Sequence, residues 1–172
     1  MNLFWLSRNL RRNARYHGDQ HMKMCMEAVQ LLYTAWWLLV PTGEWRNRAP
    51  YSVSGRRGYN ATHKNHPTAV WVRTSRMNYL MCADYSLNIC KEYTKRFGRE
   101  HACQIHAEWL RNNIPPISEA MMTPIPLVVK EDVVRFAPTL REAVREYRKF
   151  YKTKMFLRYR YSERPSWFPK IK

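Results

Sequence analysis

The sequence predicts an all-α protein: one compact helical domain spanning residues 1–172, built around a single central buried helix, with a long basic loop and an aromatic, basic C-terminal tail. Three observations predict it. The chain has 45% apolar residues, enough to fill one core, and its length suits one domain. Its apolar positions recur at helical spacing in several separate stretches. Finally, Gly98, Pro115 and Pro116 and the pair Pro124 and Pro126 fall between those stretches, where helices must stop.

The central stretch is Asp19 to Trp37, DQHMKMCMEAVQLLYTAWW. At about 100° per residue, Lys23, Glu27, Gln30 and Thr34 share one narrow stripe. Met22, Cys25, Met26, Val29, Leu32, Tyr33 and Trp36 cover one flank, and Met24, Ala28, Leu31, Ala35 and Leu38 most of the other. A helix apolar nearly all round is buried, so its polar line faces either solvent, as an ordinary charge pair at four-residue spacing, or a partly dry cleft. Gly18 breaks the chain before it and Asp19 suits the N-cap, which leaves His17 outside. His21 projects about 160° from Lys23 and does not share the stripe.

Ahead of this helix, Met1 to Leu6 is apolar, and Arg8, Arg11, Arg12 and Arg15 give the next turns a basic face. Behind it, residues 41–61 hold Gly43, Pro50, Gly55 and Gly58 with Arg46, Arg48, Arg56 and Arg57 and read as a mobile basic loop. So long a structureless loop is more often functional than idle. THKNHPTAVWVR, residues 62–73, follows, with His66 before Pro67 opening a short helix. His63, Lys64, His66, Trp71 and Arg73 could hold a phosphate and a splayed base, or the histidines only cap a loop-to-helix junction.

Ser75 caps a long helix to Phe97, ended by Gly98, with Met77, Leu80, Met81, Leu87, Cys90, Tyr93 and Phe97 as its buried set. Residues 100–113 form another helix, and 118–134 read mainly as loop. Pro138 opens the last helix, with Leu140, Val144, Tyr147 and Tyr151 as its stripe. The tail then interleaves Lys154, Arg158, Arg160, Arg164 and Lys170 with Tyr159, Tyr161, Trp167 and Phe168, cations for phosphates and rings for exposed bases, or rings that pack on the core.

The charge narrows the function. Thirty Lys and Arg against 13 Asp and Glu give +17, which disfavours a compact chain unless a polyanion is its partner. Nucleic acid comes first. The longest apolar run, Trp36 to Val40, is far short of a membrane span, and MNLFWLSRNLRRN lacks the charge order of a secretory signal, so we read the chain as an intracellular monomer with no membrane partner. Cys25, Cys82, Cys90 and Cys103 form no C-x-x-C pair and read as reduced core residues. Neither a metal nor another cofactor is expected.

Taken together, Asp19-Gln20-His21 opening a Met-rich helix with an acid in its second turn, a His-Pro entry to a long helix ending KRFG at 95–98, and the near-terminal Arg164-Pro165-Ser166-Trp167-Phe168 resemble the phage pyrimidine-dimer DNA glycosylase/AP lyase, the phage endonuclease V type. HGDQHMKM and THKNHPTAVWVR also look like segments of uncharacterised small phage proteins. The glycosylase resemblance implies an all-α enzyme that flips a damaged or modified base from duplex DNA and attacks the sugar with its N-terminal amine, aided by a helix glutamate. By segment Glu27 is that acid, one residue out of the family's spacing, and Met1 carries the amine. An α-amine, with a pKa of about 8, is available near neutral pH where a lysine, at about 10.4, is not. This chain departs from the family in its 41–61 insertion, its expanded first helix, and its Met-Asn start where a small residue and an arginine belong. Lys23, which has no counterpart there, becomes the substitute nucleophile if burial lowers its pKa, and a water guided by Glu27 is the third option. Expected nucleic-acid contacts are His21, Gln30, Arg56, Arg57, His63, Lys64, His66, Trp71, Arg73, Arg158, Arg160, Arg164 and Trp167. The competing reading is a non-catalytic DNA- or RNA-binding protein or ribonucleoprotein subunit on the same basic scaffold.

Overall fold

The computed structural model describes residues 1–129 and 134–169. Lys170 and the 130–133 part of the expected loop lie outside them. Six α-helices occur among the described residues, α1 (Leu10–Tyr16), α2 (Met24–Leu39), α3 (Pro67–Val72), α4 (Arg76–Phe97), α5 (Gln104–Asn112) and α6 (Leu140–Tyr151), with one antiparallel pair, β1 (Ile125–Leu127) and β2 (Arg135–Ala137). The fold is therefore mainly helical rather than all-α. Ile125 faces Ala137 and Leu127 faces Arg135 across the pair, and β1 is buried beside α3 and α6.

The central helix starts later than expected. Asp19–His21 is a single 3-10 turn and α2 begins at Met24, because Asp19 does not cap it. Its carboxylate is engaged elsewhere: it accepts from the Arg96 guanidinium at 3.0 Å and from the Arg160 backbone N–H at 2.7 Å. Ten residues of α2 are buried, and the helix packs on α4, α3 and α5. Before it runs an extended segment, Leu3–Leu6, at most 5% exposed, which threads between α4 and α6. The Phe4 N–H donates to the Tyr85 hydroxyl and the Arg148 guanidinium donates to the Leu6 carbonyl.

Helix α4 obeys its signals at both ends. Ser75 Oγ accepts from the Asn78 N–H, and Gly98 closes the helix at φ 67°, a left-handed conformation glycine adopts without penalty. Its buried face differs from the expected one. Tyr79, Cys82, Ala83, Tyr85, Ser86, Ile89 and Cys90 turn inward, while Met77 is exposed and Leu80, Met81, Leu87, Tyr93 and Phe97 are half-buried. The tyrosines can be buried because their hydroxyls find partners: Tyr79 donates to the Leu110 carbonyl and accepts from Trp36 Nε1, and Tyr85 bonds the His17 ring. Near its C-terminus Arg96 is buried with Glu92 and Asp19 and donates to the carbonyls of Arg15 and His17, tying the end of α1 to α4.

Residues 41–61 are not structureless. Glu44–Arg48 is a 3-10 turn, and Trp45, 2% exposed, anchors it among Tyr33, Trp36, Trp37 and Trp109. The tail is likewise packed. Leu157, Pro165 and Phe168 are buried, the Asp19 N–H donates to the Arg158 carbonyl, and a Cβ at Gly18 would sit 2.9 Å from that of Leu157. No described helix is long and apolar enough to cross a membrane.

Candidate functional site

Glu27 sits in the first turn of α2, half-buried, with its carboxylate toward the start of the chain. Its Oε2 accepts from the Asn2 backbone N–H at 3.0 Å and lies 3.8 Å from the Met1 ammonium nitrogen. Asn2 is fixed on its other side as well: its Nδ2 donates to the Val128 carbonyl and its Oδ1 accepts from the Tyr147 hydroxyl, each at 2.8 Å. Two residues on, the Phe4 ring stacks on His21 with centroids 5.1 Å apart. These contacts hold Met1 at the head of α2.

The loop 62–66 closes over the remainder of the polar stripe. Thr34 Oγ donates to the Thr62 carbonyl at 3.1 Å and accepts from the Thr62 N–H at 3.0 Å, so Thr34 is fully buried beneath that loop, while Gln30 is half-buried. His66 caps α3, its Nδ1 accepting from the Thr68 N–H. Burial, and then the positive charge of the Met1 terminus, hold it below the usual histidine range. It is therefore a neutral imidazole in the same electrostatic neighbourhood as the Met1 ammonium. Next to it, His63 is exposed at φ 48° and bonds Thr62 Oγ.

Lys154 is the member that sequence reasoning missed. Its ammonium lies 4.6 Å from the centre of the Phe150 ring and 5.5 Å from that of Phe4. Burial pulls its pKa down against the attraction of Glu27. The only signal was its place among the rings of the tail.

Several expected site residues lie elsewhere. Lys23 is the residue before α2, exposed, with no ion pair to Glu27 among the described residues; the Glu27 carboxylate instead meets the Met1 terminus and the Asn2 N–H. His21 is buried between Phe4, Tyr151 and Phe156, its pKa pushed down to about 3, first by burial. It cannot meet a phosphate. Trp71 is 3% exposed and donates to the Thr123 carbonyl, so its ring has no free face for a base. Arg73 donates to the carbonyl of the exposed Lys64. Arg57 donates to the Ala49 carbonyl with its guanidinium 4.1 Å from the Tyr51 ring centre, whereas Arg56 is exposed. Arg158 donates to the Met155 carbonyl and Arg164 to that of Pro169, and Arg160 is exposed.

A groove of about 1310 Å³ lies between α1 and α6. Arg8 and Arg12 line one wall, Arg141, Arg145, Arg148, Lys149 and Lys152 the other, and Trp167 the floor. Of these, Arg8, Arg12, Arg141 and Lys152 have no ion pair among the described residues, and Glu146 takes Arg145 and Lys149. Trp167 packs edge-on to Tyr16 with the Arg148 guanidinium 5.0 Å from its ring centre. A run of unpaired cations beside an aromatic floor suits a phosphate backbone. The amphipathic pattern of α6 held the signal, but nothing in it paired that helix with α1.

Chemically, the site offers a primary amine next to a carboxylate, a neutral imidazole and a second amine in an apolar setting, with a cationic groove along the same N-terminal segment. The chain matches no protein-family profile, no curated protein and no solved structure.

Proposed function

We propose that the protein is a DNA glycosylase with AP lyase activity, acting on a damaged or modified base in duplex DNA through the Met1 amine and Glu27. The observation that carries this reading is the 3.8 Å separation between the Met1 nitrogen and Glu27 Oε2. The resemblance of the chain's segments to the phage pyrimidine-dimer enzyme and the charge of +17 support it.

Glu27 takes a proton from the Met1 ammonium, freeing the nitrogen lone pair. That nitrogen then bonds C1′ as the glycosidic bond breaks, and the base leaves with the bonding pair and takes a proton from the new secondary ammonium, leaving a neutral amine on C1′. Glu27 returns its proton to O4′ as the C1′–O4′ bond opens, leaving an iminium. Loss of a C2′ proton next expels the 3′ phosphate with the C3′–O pair, and water releases the sugar and regenerates the amine. A carboxylate that shuttles one proton beside a forming cation acts mostly in the transition state.

Borohydride with an abasic or base-modified duplex tests this. The expected result is a covalent adduct that peptide mapping places on Met1, and a Glu27→Gln protein that folds and binds but turns over ~10²- to 10³-fold more slowly. An adduct on Lys154 or Lys23 moves the nucleophile within the same reaction. Base release without an adduct points to water guided by Glu27.

A second reading is favoured by one contact. Because Glu27 Oε2 also accepts the Asn2 N–H, the carboxylate has a structural task, pinning the start of the chain in a non-catalytic DNA- or RNA-binding protein. In that case no base is released from any duplex, and Glu27→Gln loses stability with no activity to lose.

A further inference from the structure

Three of the four cysteines, far apart in sequence, meet at one point of the core. Cys25 lies in the first turn of α2, Cys90 near the end of α4, and Cys103 immediately before α5, two residues after His101. The sulfurs of Cys25 and Cys90 and a ring nitrogen of His101 all lie within 4.8 Å of one another, and Cys25 Sγ is 3.4 Å from His101 Nδ1. Cys103 adjoins this group through its backbone, whose N–H donates to His101 Nδ1 at 3.1 Å, while its sulfur lies 4.0 Å from the Tyr59 hydroxyl. All three cysteines are buried and His101 is half-buried at the edge, its ring edge-on to Tyr93. From these positions we propose that Cys25, Cys90 and His101 hold a structural zinc ion, with the adjacent Cys103 thiol rotating in as the fourth ligand to give three sulfurs and one nitrogen.

The chemistry of the donor set selects the ion. With Zn–S near 2.3 Å and Zn–N near 2.0–2.1 Å, a tetrahedral site puts sulfurs about 3.8 Å apart and sulfur and nitrogen about 3.5 Å apart. The 3.4 Å Cys25–His101 separation already meets the second figure. Thiolate-rich sites with one imidazole suit zinc over magnesium or calcium, and a full ligand set leaves no open position for catalysis. The His101 Nδ1 lone pair points inward, since it accepts the Cys103 backbone N–H at 3.1 Å; on metal binding it exchanges that bond for the ion. The site would tie the start of α2 to α4 and to the entry of α5, two residues from Glu27. Cys82 supplies the contrast: equally buried, it faces the Ala28 carbonyl at 3.7 Å, outside the group.

The full chain purified under reducing conditions, without added chelator, should carry one zinc per molecule by elemental analysis. After chelation, titration with cobalt(II) alone should give thiolate-to-cobalt charge-transfer absorption and the visible bands of a tetrahedral ion, and zinc should displace it. Cys90→Ser should weaken cobalt binding at least ~10-fold, while Cys82→Ser should leave it unchanged. If Cys90→Ser fails to fold, His101→Ala, altering the most exposed ligand, should still fold and should shift the cobalt spectrum. The proposal is overturned if the wild-type chain gives no cobalt band, if the band survives both Cys90→Ser and His101→Ala unaltered, or if the metal-free protein is found with a disulfide among these cysteines and binds no metal once reduced.

Discussion

Two arginine-rich regions of this protein look alike in composition and differ in what their cations can do. In residues 41–61, Arg46 donates to the Arg57 carbonyl and to Asn60 and lies 5.3 Å from the Trp37 ring centre, and Arg57 is fixed to Ala49 and Tyr51. These two guanidiniums hold the loop together, while Arg48 and Arg56 stay exposed. Along the groove between α1 and α6, by contrast, Arg8, Arg12, Arg141 and Lys152 are exposed, with no ion pair among the described residues. Affinity for a polyanion comes from cations whose counterions can be released, so the count of arginines in a segment says less than where their donors already point.

The largest effect that could break this contrast is on binding. Arg12→Glu with Lys152→Glu should weaken DNA affinity by ~100-fold at low salt and reduce the salt slope by about 2, measured by fluorescence anisotropy across a salt series. An unchanged slope would remove the groove from the interface. A smaller effect is expected from Arg46→Ala, and on a different quantity: stability should fall by about 1–2 kcal/mol in denaturant melts while affinity stays within ~3-fold, because the lost donor served carbonyls rather than phosphate. The reverse outcome would exchange the roles of the two regions.

Acid separates the buried histidines from the exposed cations. Burial lowers the His17 pKa to about 4 and that of His21 to about 3. A histidine depressed in the folded state binds fewer protons there than in the unfolded chain. Its contribution is therefore complete above the unfolded value of about 6.5 and is lost as pH falls toward the folded value, on the order of 3 kcal/mol for His17. Thermal melts should show midpoints dropping between pH 6.5 and pH 4, whereas arginine and lysine keep their charge. Binding by the fraction still folded should be unchanged over that range, and a loss that precedes unfolding would mean that a titrating group belongs to the interface.

Much of the helical frame was legible. Ser75 and Gly98 bracket α4 as their chemistry dictates, and the stripe of Leu140, Val144, Tyr147 and Tyr151 on α6 faces inward, Leu140 only partly. The inward face of α4 was not, because buried tyrosines satisfied by distant partners carry no apolar periodicity. Nor were β1 and β2, three residues each with Pro126 inside one, too short to show alternation. The late start of α2 depended on Asp19 being claimed by Arg96, a contact across 77 residues. Of the candidate site, Glu27 and the terminus could be named from the sequence, but Lys154, the facing walls of the groove and the meeting of Cys25, Cys90 and His101 exist only once distant segments pack.

The buried extended segment Leu3–Leu6 also constrains how the molecule is made. Residues 2–18 are synthesised well before their partners on α6: the Asn2–Tyr147 bond spans 145 residues, that of Leu6 with Arg148 spans 142, and Gly18 with Tyr151 spans 133. Four large apolar side chains must therefore wait, exposed or held in passing contacts, until α6 arrives. Closing so long a loop costs entropy before any contact rewards it, which slows the final step and favours chaperone capture of the nascent chain. The emergence of α6, rather than the appearance of the central helices, then sets the moment at which the core closes.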